Sequence, residues 1–144
     1  MATSTTTAVK KNKKALTCSV ITRSGPVLRS IRIDHVEIPS HDGYVSIHLD
    51  HCPYIVRIGY GELKIYNEDN KLINMYVEDG IAKVTNNVIG ILVETALYPK
   101  DIDAAMLKDE INKLSTQMVI NAEEARRNHE KIAKLNKQIE ISSK

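Results

Sequence analysis

VIGILVETALYPKDIDAAMLKDEINKL, residues 88–114, changes its hydrophobic period at Pro99. Before that proline, short apolar runs alternate with polar residues and end in turn signals. After it, apolar residues recur every three or four positions, and neither Gly nor Pro appears again before Lys144. A two-residue period belongs to half-buried strands and a 3.6-residue period to amphipathic helices. All strands therefore come first and all helices last. That order predicts an all-β domain, a sandwich or flattened barrel, followed by a C-terminal two-helix antiparallel hairpin. A parallel α/β sheet would need strands and helices to alternate.

Working outward towards the N-terminus, Asn86-Asn87 between Ile81–Thr85 and Val88–Glu94 is a two-residue hairpin signal, because Asn tolerates the positive φ such turns require. Leu72–Val77 precedes Glu78-Asp79-Gly80, read as a turn. Tyr54–Ile58 and Gly61–Tyr66 read as two strands split by Gly59-Tyr60-Gly61. Tyr44–Leu49 alternates cleanly, with Val45, Ile47 and Leu49 on one face. In Val27–Ile38 the apolar parity slips after Ile33, and one extra residue near Asp34-His35, a β-bulge, would return Val36 and Ile38 to the same core. Ala15–Thr22 is the first strand, with Leu16, Cys18 and Val20 inward. Residues 1–14 read as a disordered Lys/Thr-rich tail, residues 15–97 as the β domain and residues 98–144 as the hairpin.

In the hairpin, Asp101 is the expected N-cap of the first helix, with Ile102, Ala105, Met106, Ile111, Leu114 and Met118 on its apolar side. Asn121 with Glu124 has capping-box spacing and opens the second helix. Its stripe is Ala122, Ala125, Ile132, Leu135 and Ile139. Glu123 with Arg127 and Glu130 with Lys134 are acid-before-base pairs worth about 0.2–0.5 kcal/mol each. Gln117–Asn121 has no helix breaker, which leaves a bend or a continuous helix open.

Composition narrows the function classes. The chain has 144 residues, no Trp, no Phe and a net charge of +2 that depends on Lys10, Lys11, Lys13 and Lys14. An aliphatic core without a stacking platform, under a near-neutral surface, does not point to nucleic acid. Cys18 and Cys52 are too few for a disulfide scaffold and are expected to be reduced. No apolar stretch approaches the roughly 20 residues that cross a bilayer, so any membrane association is expected to be peripheral.

Catalytic signals are weak. His41, Asp42, His48, Asp50, His51 and Cys52 are metal-ligand types, but they match no zinc spacing and fall in a loop, a strand and a turn. Gly59-Tyr60-Gly61 has no helix after it to bind phosphate. No nucleophile elbow is present. No catalytic residue, cofactor or metal is expected. Arg126, Arg127, Lys131, Lys134 and Lys137 spread around the second helix, as a solvated face or a surface for an acidic partner.

Six segments resemble one known family. Asp42-Gly43-Tyr44-Val45-Ser46-Ile47 followed by His51-Cys52-Pro53 is similar to its Glu-Gly-Glu-Leu-Gly-Ile and Gly-His-Ala-Pro. Gly61-Glu62-Leu63-Lys64-Ile65 resembles Gly-x-Leu-x-Ile, and Gly80-Ile81-Ala82-Lys83-Val84 with Asn86-Asn87 resembles Gly-Gly-x-x-Glu-Val and the turn after it. Glu94-Thr95-Ala96 and Asp101-Ile102-Asp103 match Glu-x-Ala and the acidic entry to the hairpin. The family is the epsilon subunit of F-type ATP synthases, called delta in mitochondria. The matches keep its order and gaps over Leu16–Leu114.

The resemblance implies a β-sandwich followed by two helices and a non-catalytic central-stalk rotor subunit. Its implied partners are the gamma subunit, the ring of c subunits and, when the helices extend, the catalytic alpha/beta head. It implies a peripheral position, at the cytoplasmic face of a bacterial inner membrane or the matrix side of the mitochondrial one. By position, the loop Ser40, His41, Asp42, Gly43 and Tyr44 would face the c-ring, with His51 close to it. Arg126, Arg127, Lys131, Lys134 and Lys137 would form a regulatory helix that inhibits ATP hydrolysis. Tyr44, Ser46, Asp50, Cys52 and Lys83 depart from the pattern, where the family has an acid, Gly, Gly, Ala and Glu. Some relatives bind ATP through Ile-Asp-x-x-Arg-Ala. Here Met106 stands in place of the Arg and offers phosphate neither charge nor donors, so no ATP binding is expected.

Two other readings stay open: a free-standing β-sandwich adaptor with a coiled-coil hairpin, and a small metal-dependent enzyme. The strand assignment is testable by itself. Ile47→Ala should cost about 2–5 kcal/mol by leaving a core cavity, and Ser46→Ala should be nearly neutral. Equal, small shifts in urea titrations of the two variants would reject the assignment.

Overall fold

The computed structural model describes residues 14–143. The reading of residues 1–13 as a tail, with Lys10, Lys11 and Lys13, lies outside the described residues. Six strands come first: β1 (Leu16–Thr22), β2 (Gly25–Ser40), β3 (Gly43–His48), β4 (Tyr54–Asn67), β5 (Leu72–Thr85) and β6 (Val88–Leu97). A 3₁₀ turn at Pro99–Asp101 leads to α1 (Ala104–Thr116) and α2 (Ala122–Ser142). The fold is the expected β-sandwich or flattened barrel followed by two helices. The strand order is β1-β6-β5-β4-β2-β3, and β1 also pairs with β2, so five strands close on themselves and β3 is added to β2 at the edge. All pairs are antiparallel except β1–β6.

The core is aliphatic, as a chain without Phe or Trp requires. Leu16, Cys18, Val20, Ile33, Val36, Ile38, Ile47, Leu63, Ile65, Ile89 and Ile91 are all buried. Burial pushes the Cys18 thiol up to about 12, and Cys18 and Cys52 are free thiols, one buried and one exposed. The bulge lies where the parity slip put it. Ile33 pairs with Asn67 and His35 with Tyr66, leaving Asp34 as the extra residue on β2, so Ile33, Val36 and Ile38 reach one core. Asn86 and Asn87 turn β5 into β6 at φ 51° and 63°.

Two expected turns are corners inside long strands. Gly59-Tyr60-Gly61 lies within β4 and Glu78-Asp79-Gly80 within β5, and the β4–β5 ladder runs from Tyr54↔Val84 to Tyr66↔Leu72 past both. Turn residues here bend a strand from one layer into the other without ending it. Asp79 sits at φ 54°, and a Cβ on Gly80 would lie 1.9 Å from the Leu92 carbonyl oxygen. Leu49, expected inward, is 43% exposed, because β3 ends at His48 and strand alternation ends with it.

The helices differ from expectation at their start and their seam. Asp101 belongs to the 3₁₀ turn, where its N–H bonds the Tyr98 carbonyl. Ile102 is extended, so the cap falls on Asp103, whose carboxylate accepts from the Ala105 and Met106 amides. The half-buried positions of α1 are Ala104, Leu107, Ile111 and Leu114, while Ala105, Met106 and Met118 are exposed, as are Ala122 and Ala125 on α2. The Gln117–Asn121 link is a break. Gln117 and Asn121 are extended, and the Asn121 side chain caps α2 by accepting from the Glu124 amide. The helices pack on each other, and α2 also packs on β4, β5 and the 3₁₀ turn, so the hairpin is not an independent appendage.

Gly80 and Gly90 make a paired test of the corner. Gly80→Ala drives a methyl into rigid backbone and should destabilise by about 1–3 kcal/mol. Gly90→Ala meets nothing within 4 Å and should change stability little. Equal melting temperatures for the two variants would show that β5 does not bend where described.

Candidate functional site

Four surface features of the described residues bear on function. The first surface is apolar. Ile21 of β1, Leu92 of β6 and Ile81 of β5 are successive cross-strand neighbours. Ile55 of β4 stands two residues before Arg57, which pairs with Ile81. All four are large, outward-facing aliphatics: Ile21 is 39%, Ile81 47%, Leu92 51% and Ile55 63% exposed. They line one concavity with Arg57 and Asp79, and the Arg23–Glu94 ion pair at 3.7 Å borders it. Strand alternation normally puts polar residues here, and a contiguous apolar patch on an exposed sheet face marks an interaction site. The sequence carried a signal for it: Ile91-Leu92-Val93 and Ile55-Val56 are apolar at adjacent positions, so one residue of each run must face out.

The second surface is the tip of the β2–β3 hairpin. Ser40 pairs with Gly43 across a two-residue turn of His41 and Asp42. The Ser40 hydroxyl donates to the Gly43 carbonyl and accepts from the Asp42 amide, while the His41 amide donates to Arg57. Gly43 has φ 122°, where a side chain would be strained. Tyr44 is half exposed, yet its hydroxyl accepts from the buried Glu62 amide at 3.3 Å. Ser40, His41, Asp42, Gly43 and Tyr44 therefore form one cleft wall, with Tyr54 and Arg57 opposite. His51 does not join them. It follows the other end of β3, with Nδ1 donating to the Cys52 carbonyl at 2.7 Å and its ring tilted 5.8 Å from Tyr54. Nearby, the Asn87 side chain donates to Asp50 and, with Lys14, holds the Asp50 carboxyl below its usual range.

The third surface lies where α2 meets the β domain. Tyr76 is fully buried, and its hydroxyl donates to Glu78 at 2.7 Å. Burial, then Glu78, push its pKa well above the usual tyrosine value, so the hydroxyl keeps its proton. Lys134 reaches across to Glu78 at 3.8 Å and Asp79 at 3.6 Å, with Glu130 at 3.8 Å and the Tyr60 ring at 6.0 Å. The five basic residues of α2 thus differ in situation. Lys134 is committed to the β domain, Lys137 pairs with Glu140 and Arg127 with Glu123. Arg126 and Lys131 are exposed. Sequence spacing paired Lys134 with Glu130 but could not show Glu78 and Asp79, some 55 residues away, beside it.

A fourth feature is the cleft under α1, lined by Asp101, Ile102, Asp103, Met106, Asp109, Glu110 and Lys113. Four carboxylates face one lysine there. The cluster of His41, Asp42, His48, Asp50, His51 and Cys52 is dispersed over both ends of β3.

Residues 15–99 match the family model described as ATP synthase, Delta/Epsilon chain, beta-sandwich domain. An ATP synthase epsilon chain of Pelagibacter ubique is 35% identical over 90 residues, 62% of this chain and 65% of that one. The chain thus spans just under two thirds of that relative's length. The chloroplastic epsilon chain of Cyanidium caldarium is 30% identical over 122 residues, 82% of this chain and 84% of the relative. Among solved structures, a chain of the Euglena gracilis mitochondrial ATP synthase (OSCP/F1/c-ring) has a similar fold, with a TM-score of 0.77 at 13% identity over 86% of this chain and 79% of that one. A chain of the Tetrahymena thermophila mitochondrial ATP synthase central stalk and c-ring gives 0.67 at 16% identity, over 88% and 98%.

Proposed function

This chain belongs to the ATP synthase delta/epsilon family, and from that premise we propose that it is the non-catalytic central-stalk subunit that joins gamma to the c-ring. The observation that carries the reading is the exposed aliphatic row Ile21, Leu92, Ile81 and Ile55, which lies within the stretch that the family model matches. Such a row on a sheet face buries well against a helical partner, and gamma is its partner in this reading. The Ser40–Tyr44 tip, braced by Ser40 and by the Tyr44–Glu62 contact, faces the c-ring. A braced tip suits torque transfer, because a contact that transmits torque must not yield. No helix of the described residues is long and apolar enough to cross a membrane. The subunit sits peripherally, on the cytoplasmic face in a bacterium or the matrix side in a mitochondrion.

The family's ATP site would fall in the cleft under α1. Asp101, Asp103, Asp109 and Glu110 make that cleft repulsive to a triphosphate, and Met106 supplies no donor. These features support a subunit that does not bind ATP. A regulatory role for α2 has one observation in its favour: part of its tie to the β domain is ionic, through Lys134 to Glu78 and Asp79, and that part answers to salt and to competing charge. Release of Lys134 would free a basic helix, already carrying exposed Arg126 and Lys131, to meet the acidic surface of the catalytic head.

Two experiments test these roles. Leu92→Asp and Ile81→Asp put a charge on the aliphatic row without touching the core. Each should leave the circular dichroism spectrum and melting point nearly unchanged and reduce co-purification with gamma at least tenfold. Full retention of gamma by both folded variants would move the interface elsewhere. For regulation, Lys134→Glu places a fourth carboxylate beside Glu78, Asp79 and Glu130 and should release α2. It should lower the ATPase rate of the assembled enzyme, whereas deletion of residues 119–144 should raise it. Unchanged rates in both, at matched subunit occupancy, would leave the helices a structural role only.

A further inference from the structure

The outer face of the β2–β3–β4 layer carries a row of three rings. His48 of β3, His35 of β2 and Tyr66 of β4 are direct cross-strand partners. The His35 ring stacks on His48 at 4.8 Å and 14°, and on Tyr66 at 4.4 Å and 13°. Asp34 Oδ2 accepts from His35 Nδ1 at 2.7 Å. That last contact follows from the bulge. Consecutive residues of a regular strand face opposite ways, whereas an extra unpaired residue is re-aimed by the local bend. Here the re-aimed side chain is a carboxylate, and it meets the neighbouring imidazole. The His35 side chain is 22% exposed and that of Asp34 57%.

One ligand atom from each of Asp34, His35 and His48 lies within 4.8 Å of the other two. Directly opposed residues on antiparallel strands have Cβ atoms held about 4.5–5.5 Å apart by the ladder. Two imidazoles so placed can close on one ion through side-chain rotation alone, with the backbone entropy already lost on folding. Asp34 at Nδ1 fixes the His35 tautomer and leaves its Nε2 lone pair outward, the arrangement by which carboxylates orient metal-binding histidines. Tyr66 restrains the same ring from its other side. Two imidazole ligands, one of them oriented by a carboxylate, without thiolate, suit zinc, copper or nickel over magnesium or calcium.

We propose that His35 and His48 bind a divalent transition-metal ion, with Asp34 orienting His35 and Zn²⁺ as the probe. The ion ties edge strand β3 to β2 at the open end of the hairpin whose closed end is the Ser40–Gly43 turn. This site is independent of the rotor reading, because it rests only on the geometry of three strands.

The test is a calorimetric titration of the full chain with ZnCl₂ near neutral pH in a non-coordinating buffer, with MgCl₂ as comparison. The expected result is one saturable Zn²⁺ site and no Mg²⁺ binding. His35→Gln and His48→Gln should each weaken Zn²⁺ at least tenfold, and Asp34→Asn about tenfold or more. His41→Gln and His51→Gln should bind as the unaltered chain does, and in ¹H–¹³C spectra the His35 and His48 ring signals should move together. His48 is exposed at the sheet edge, so its variant decides the matter even if the His35 variant folds poorly. Absence of saturable Zn²⁺ binding, or unchanged affinity in the folded His48→Gln chain, overturns the proposal.

Discussion

Closure of the sheet is the constraint on which the rest depends. β1 pairs with β2 on one side and with β6 on the other, so its backbone groups are satisfied on both edges and the ring of five strands has no free end. A short chain without Phe or Trp gains two things from this. Every strand contributes one face to a single aliphatic core, and the open edges that invite aggregation are reduced to β3. The cost is curvature. β4 and β5 must bend from one layer to the other, and they do so at Gly59-Tyr60-Gly61 and Glu78-Asp79-Gly80. Gly80 is required there because the backbone of Leu92 occupies the space a side chain would need.

The same corner provides the contact for the helices. Bending β5 at Asp79 turns Glu78 and Asp79 towards α2, where Lys134 meets both. Tyr76, two residues earlier, is buried and hydrogen-bonded to Glu78. A feature imposed by barrel closure thus supplies an acidic receptor for a basic helix. An ionic contact of this kind holds the helix in register while remaining sensitive to salt and to competing charges. A hydrophobic contact of equal strength would not have that sensitivity. Further along the same strands, Ile81 and Leu92 face outward as a cross-strand pair and share their concavity with Asp79, so the corner joins the helix contact to the proposed gamma surface.

Much of this was legible in the amino-acid sequence, and for a local reason. Period, parity and turn chemistry are set by neighbouring residues. The change of period at Pro99 separated strands from helices, the parity slip after Ile33 located the bulge near Asp34-His35, and Asn86-Asn87 and Asn121 marked a turn and a cap through their own side chains. The acidic entry to the hairpin was visible too, but the cap moved from Asp101 to Asp103 because Pro99 first made a 3₁₀ turn.

Tertiary structure decided whatever depended on residues distant in sequence. Gly-rich triplets mean either a turn or a corner, and only pairing across β4 and β5 selected the corner. Leu49, Ala105 and Met106 are apolar yet exposed, because burial depends on what the opposing surface covers. The sequence placed Lys134 beside Glu130, while the fold added Glu78 and Asp79. The histidines crowded between positions 41 and 52 do not converge, whereas His48 meets His35 of β2 across the ladder. A sequence determines which way a side chain faces along its own strand or helix, since that is fixed by local backbone geometry. What the side chain meets there is fixed by packing between segments, and that is a property of the folded chain.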